Sequence, residues 1–225
     1  MNVKKAAGTV TIWTSLSKIF GYIRESVIAY FFGASTVVDA FLVASLIPNT
    51  LVAILANGFP AAMTSLYKEL YAKDKKMALR FVSLLAGLFI ITAVLLIIIL
   101  WFGAPLVVRA LAPGFSHETS TITIRLAVML LPMLFLSLMG KFACSLLYAN
   151  DIFALPTFAT VLLPNIVLIG AIVLTAKFWG IKSMVLGLIL GWMLALLIQF
   201  LRLYRIGLRV RVACFWRDLY IKRFG

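Results

Sequence analysis

Lys18, Arg24, Glu25 and Asp39 are charged side chains set inside the first two long apolar stretches of this chain. The stretch reads Ser17-Lys18-Ile19-Phe20-Gly21-Tyr22-Ile23-Arg24-Glu25, then Phe32-Gly33-Ala34, then Val38-Asp39-Ala40-Phe41. Ionisable groups at membrane depth are costly to solvate, so they face a bundle interior or a polar cavity and mark functional sites. Two cations and two carboxylates can neutralise one another and pin two helices together. They can also hold an anionic ligand at the cations. Asn49 and Asn57 add amide groups further along the second stretch. No constellation for covalent chemistry accompanies them: there is no Walker A sequence, no GxSxG and no HExxH. The expectation is a chain that is not an enzyme and uses no cofactor. Cys144 and Cys214 form no CxxC or other metal pattern and read as structural or free, and His117 is a lone loop residue without companion ligands.

The surroundings of these residues define the class. The 225 residues are 64% hydrophobic and 12% charged, with a mean hydropathy of +1.12. Soluble domains average about half apolar and a quarter charged, so this is a polytopic membrane protein. Lys4 and Lys5 precede an apolar run that ends in no small-residue cleavage site, so the N-terminus reads as the start of a retained helix.

A membrane span needs about 20 apolar residues. Six segments qualify: 6–32, 37–66, 79–106, 122–148, 152–177 and 183–203. The fold class is therefore all-α, a six-helix transmembrane lobe over 1–203. Residues 204–225 form a basic tail that mixes Phe215, Trp216 and Tyr220 with Arg217, Lys222 and Arg223. It reads as an amphipathic surface helix or as the approach to a further span. Short connections make sequential helices antiparallel neighbours. One side then carries fourteen Lys and Arg residues, among them Lys4, Lys68, Lys75, Arg80 and Arg202. The other side carries Arg109, Arg125, Lys177 and Lys182. The basic excess marks the cytoplasmic side, where both termini lie. The net charge of +14 is thus mostly topology. Its dispersal along span ends disfavours nucleic acid and suits contact with anionic membrane lipid.

At 100° per residue, Thr11, Thr14, Ser17, Lys18, Gly21, Arg24 and Glu25 fall within an arc of about 140°. The first helix is amphipathic although it lies in a membrane. Asp39, Thr50, Asn57 and Thr64 share a face of the second helix, with Asn49 at its edge, and Pro48 and Pro60 kink it. Arg24 and Asp39 differ in depth by only about 7 Å at the helical rise, so an Arg24–Asp39 pair is within reach, with Glu25 as a competing partner. Lys18 lies about two turns deeper, where it presents positive charge on its own. Lys141, inside the fourth segment, is either a further cation of the site or a lysine reaching to the interface.

At these residues the chain resembles the MurJ/MviN family of bacterial lipid II flippases, within the superfamily of multidrug and polysaccharide exporters. Besides the stretches above, the resemblance rests on Ile47-Pro48-Asn49-Thr50-Leu51, Ala112-Pro113-Gly114-Phe115, Tyr148-Ala149-Asn150, Phe153-Ala154-Leu155-Pro156 and Pro164-Asn165. It implies a multi-pass protein of the bacterial cytoplasmic membrane that moves an undecaprenyl-pyrophosphate-linked saccharide such as lipid II by alternating access. It also implies substrate-binding roles for Lys18, Arg24, Glu25, Asp39, Asn49 and Asn57. The chain departs from the family at Val52–Gly58, where a basic pair and an acid are usual and none is present. The resemblance covers the first of the family's two lobes, so a second six-helix lobe, another chain or a copy of this one, is the implied partner. A polysaccharide or drug exporter, and a non-transporting lobe that partners cell-wall enzymes, are the alternative readings. The basic asymmetry generates a direct test: a cysteine placed at Lys75 stays unlabelled by an impermeant thiol reagent in intact cells, while one placed at Gly114 is labelled.

Overall fold

The computed structural model describes residues 3–56 and 59–206. Helix α1 (Val3–Phe32) turns at Gly33 into α2 (Thr36–Ala56), and α3 (Phe59–Lys73) follows. After Asp74 come α4 (Lys75–Leu111), α5 (His117–Met129) and α6 (Leu131–Ala149). A four-residue α7 (Ala154–Thr157) runs through a π-helical segment (Phe158–Leu162) into α8 (Leu163–Trp179), and α9 (Lys182–Arg205) ends the bundle. No strand occurs among the described residues.

Among the described residues, five segments are long and apolar enough to cross a membrane: Thr36–Leu55, Lys75–Leu111, Leu131–Ala149, Ala154–Trp179 and Lys182–Arg205. The sixth expected span is α1, whose 30 residues are long enough but whose polar stripe dilutes its apolarity. Two expected spans are described as pairs of helices. The span expected over 37–66 is described as α2 and α3, with residues 57 and 58 outside the described residues. In place of a single helix over 122–148, α5 and α6 meet at Leu130. Pro132 follows at the start of α6, so no N–H is offered to Val128 and the helix restarts. Of the tail expected at 204–225, residues 207–225, Cys214 among them, lie outside the described residues.

The two ends of the bundle carry different sets of basic residues. Lys68 of α3 reaches Asp151, in the α6–α7 turn, at 2.8 Å, near the start of α4. Arg109 and His117 share one hollow, and Arg125 and Lys182 share another. Gly33 and Gly180 take left-handed φ values of 63° and 53° in turns at that second end, a conformation in which glycine avoids a Cβ clash.

The core has two parts. A larger cluster joins Ile28, Phe41, Leu134, Leu168, Met184 and Trp192. A smaller one sits at the α3 end, where Phe59, Phe89 and Phe142 pack with ring centroids 4.4 to 6.1 Å apart. The closest helix pair is α8 with α9. A Cβ on Gly187 would lie 2.8 Å from Leu168 Cα, and one on Gly191 would lie 2.8 Å from Pro164 Cα. Small residues let the two backbones approach, which is how apolar helices pack when lipid tails are as apolar as their side chains. Gly191→Ala is therefore expected to destabilise by about 1–3 kcal/mol. Gly103→Ala in α4, with open space around its Cβ position, should be neutral or stabilising by up to about 1 kcal/mol. Thermal unfolding of the two variants in one detergent distinguishes them.

Candidate functional site

The first hairpin is splayed. α1 lies along α7, the π segment and α8, whereas α2 lies along α5 and α6. Ile28 of α1 and Val38 and Phe41 of α2 belong to one buried cluster, while the two helices follow different partners.

The inner face of α1 repeats every three or four residues through Trp13, Leu16, Ser17, Phe20, Arg24 and Ile28, all buried or half-buried. Trp13 meets Phe158 edge-on at 5.3 Å. Polar contacts continue the same seam. The Ser17 hydroxyl donates to the Val161 carbonyl at 2.9 Å. The Asn165 amide donates to that same carbonyl at 3.0 Å. The Asn165 Oδ1 in turn accepts from Arg24 Nη1 at 3.0 Å, and Arg24 Nη2 pairs with Glu25 Oε1.

The local sequence of α8 makes this seam. Leu163 N–H bonds Phe158 O, five residues back instead of four, and Pro164 carries no N–H. The helix is thus widened where Val161 meets α1, and its carbonyl serves two side-chain donors. A polar helix distortion of this kind is tolerated in a membrane because neighbouring side chains re-satisfy the freed groups. Arg24, with a third of its side chain exposed, is held on two sides and keeps further N–H groups for a ligand.

The structure corrects the expected Arg24–Asp39 pair. Arg24 turns toward α8, and Asp39 is exposed on α2, in none of the ion pairs among the described residues. Asp39 stands in the first turn of α2, where the helix dipole favours a carboxylate. Lys18 is exposed at the edge of α1 and is in no ion pair among the described residues. It lies about 9 Å along the axis from Arg24 at the helical rise. Asn49 and Thr50 are exposed on the same face of α2 as Asp39. Asn57 lies outside the described residues. Lys141 is half-buried on α6 and takes no part in the Arg24 seam. No cluster of His, Cys, Asp or Glu suited to a metal ion occurs among the described residues.

Sequence reasoning placed Lys18, Arg24 and Glu25 on one face of α1 but missed Asn165 and the Val161 carbonyl as their anchors. The available signal was Pro164-Asn165 inside an apolar run, a missing donor beside an amide that needs partners. Chemically, the arrangement presents two cations along one polar edge, one fixed and one free to move. That edge suits a phosphate or pyrophosphate group.

A family model described as lipid II flippase MurJ matches residues 28–225. The chain is 31% identical over 217 residues to a probable lipid II flippase MurJ of Buchnera aphidicola subsp. Baizongia pistaciae, covering 93% of this chain and 42% of that protein. It is 31% identical over 207 residues to lipid II flippase MurJ of Burkholderia cenocepacia, covering 88% of this chain and 40% of that one. Among solved structures, "Lipid II flippase MurJ, inward closed conformation" superposes with a TM-score of 0.69 at 26% identity, over 85% of this chain and 40% of that chain. The chain thus spans less than half the length of these relatives.

The hydrogen-bonded seam generates a quantitative expectation. Arg24→Ala and Asn165→Ala should be coupled by about 0.5–3 kcal/mol in a double-mutant cycle on stability. Arg24→Ala and Asp39→Ala should add within about 0.5 kcal/mol. Chemical or thermal unfolding of the single and double variants measures both.

Proposed function

From the premise that this chain belongs to the MurJ family of lipid II flippases, we propose that it acts as one lobe of a two-lobed transporter. The unit moves an undecaprenyl-pyrophosphate-linked saccharide such as lipid II across the bacterial cytoplasmic membrane by alternating access, with both termini cytoplasmic. The substrate's pyrophosphate is taken by Lys18 and Arg24, with Glu25 and Asn165 orienting the guanidinium. Asp39 and Asn49 face the substrate from α2, and Asn57, outside the described residues, is assigned to it as well. Positive charge at two depths lets an anionic head group pass from one cation to the next. The bundle over 1–203 supplies the lobe, and the basic tail over 204–225 follows it on the cytoplasmic side.

One observation carries this reading: Lys18, Glu25, Asp39 and Asn49 are exposed on α1 and α2, helices that the reading sets in the membrane. Charged groups facing lipid cost several kcal/mol each, with the amount debated. The polar edges of α1 and α2 therefore need a covering surface and an aqueous cleft. A second lobe supplies both, whether on a longer polypeptide, another chain or a second copy.

The test combines mass measurement in mild detergent with flipping of a fluorescent polyprenyl-pyrophosphate saccharide in liposomes. The expected result is no flipping by the lobe alone and activity when a second lobe is present. Lys18→Ala and Arg24→Ala should each lower that activity by tenfold or more, with Lys75→Ala unchanged. A stable monomer that flips the substrate unaided would sink the two-lobe reading. Equal binding of the pyrophosphate lipid and the uncharged polyprenol would remove the role of the two cations.

A further inference from the structure

The break between α5 and α6 leaves the outer half of the bundle incompletely filled. α5 packs on α2 and α4, while α9 packs on α6 and α8. Between α5 and the start of α9 lies a hollow of about 530 Å³, walled by Ile122, Val128, Met129 and Ile181 together with Arg125 and Lys182. On the other side of the same break a second hollow of about 580 Å³ is walled by Ile97, Trp101, Pro132 and Phe135, and it shares Val128 and Met129 with the first. The two hollows adjoin at these shared walls, one on each side of the helix break, and together they are called the track. From Arg125 to Phe135 they cover about 15 Å along the helix axis, all of it apolar beyond the basic end.

The charges at that end are unbalanced. Arg125 and Lys182 come from different helices and are both exposed. Neither is in an ion pair among the described residues. No carboxylate walls either hollow, and the acid on α5, Glu118, is two turns away in its first turn. Lys182 is the first residue of α9, so this end lies at the level where a span meets the head groups.

We propose that this track is a binding site for an acidic phospholipid of the adjoining leaflet. Its phosphate sits between Arg125 and Lys182, and one acyl chain lies in the apolar track over the α5–α6 break. The occupant is amphipathic and acidic, because a free phosphate leaves the track empty and a zwitterionic lipid brings a cation of its own beside Arg125 and Lys182. Each cation near a head group is worth on the order of 1 kcal/mol, so together they favour the acidic lipid by roughly 30-fold. The site is separate from the polar edge of α1 and α2, and the proposal stands whether or not that edge carries lipid II.

The experiment is native mass spectrometry of the full chain, released from neutral detergent with equal amounts of phosphatidylglycerol and phosphatidylcholine. The wild type is expected to retain phosphatidylglycerol in marked preference. The double variant Arg125→Gln/Lys182→Gln should lose that preference by roughly 30-fold, and Lys75→Gln should keep it. Val128→Trp, which fills the track and leaves both cations, should lower retention of phosphatidylglycerol at unchanged helical content, and it serves as the second reading if the double variant does not fold. Equal preference in wild type and double variant would overturn the proposal. So would displacement by inorganic phosphate at equimolar concentration, or a track-filled variant that binds as the wild type does.

Discussion

A polar group facing lipid has no water to fall back on, so it must be bonded inside the protein or turned to a polar cleft, and much of this structure follows from how Arg24 meets that requirement. Its guanidinium is held by Asn165 from α8 and by Glu25 from its own helix. Asn165 is anchored on a carbonyl of a π-helical segment, and that carbonyl also takes Ser17. The seam fixes α1 on α8. α8 in turn is locked to α9 by glycines that admit no side chain. A helix too polar to be a convincing span alone is thereby fastened to the closest-packed pair in the bundle.

The element order was largely legible because apolar runs of span length and short polar links are strong, local signals. Helices α4 and α9 fall where hydropathy places them. The broken elements were less legible. Pro132 announces trouble in a helix, but whether a proline is carried inside the helix, as at Pro48 in α2, or marks a restart, as at Pro132, depends on what packs around it. The charged face of α1 was visible as a stripe, and Arg24 proved central to a polar network. Of the two partners weighed for it, Glu25 holds it and Asp39 does not, because depth alone had made Asp39 a candidate. Depth says nothing about azimuth, and the azimuth was set by α8, whose polar anchor is a backbone carbonyl that carries no mark in the sequence.

The same distortions give the lobe its surfaces. Widening at the π segment turns a carbonyl toward α1 and fixes a cation at the edge of the splayed hairpin. The break at Leu130 opens the track beside Arg125 and Lys182. Regular helices would have filled both places. In each, an irregular backbone creates room for polar or ligand contact, and the rigid neighbours α8, α9 and α6 keep the irregularity in one shape.

The contact between Arg24 and Asn165 spans 141 positions in the chain, and this separation has a consequence for biogenesis. At synthesis rates of roughly 5–20 residues per second, α1 leaves the ribosome about 7–28 s before its anchor on α8 exists. For that interval the guanidinium has only what its own helix provides. Glu25, the next residue, is a counter-ion made one elongation step after the charge it neutralises. An acid beside the arginine thus acts as its chaperone during insertion, and only later as one of two ligands in the finished seam.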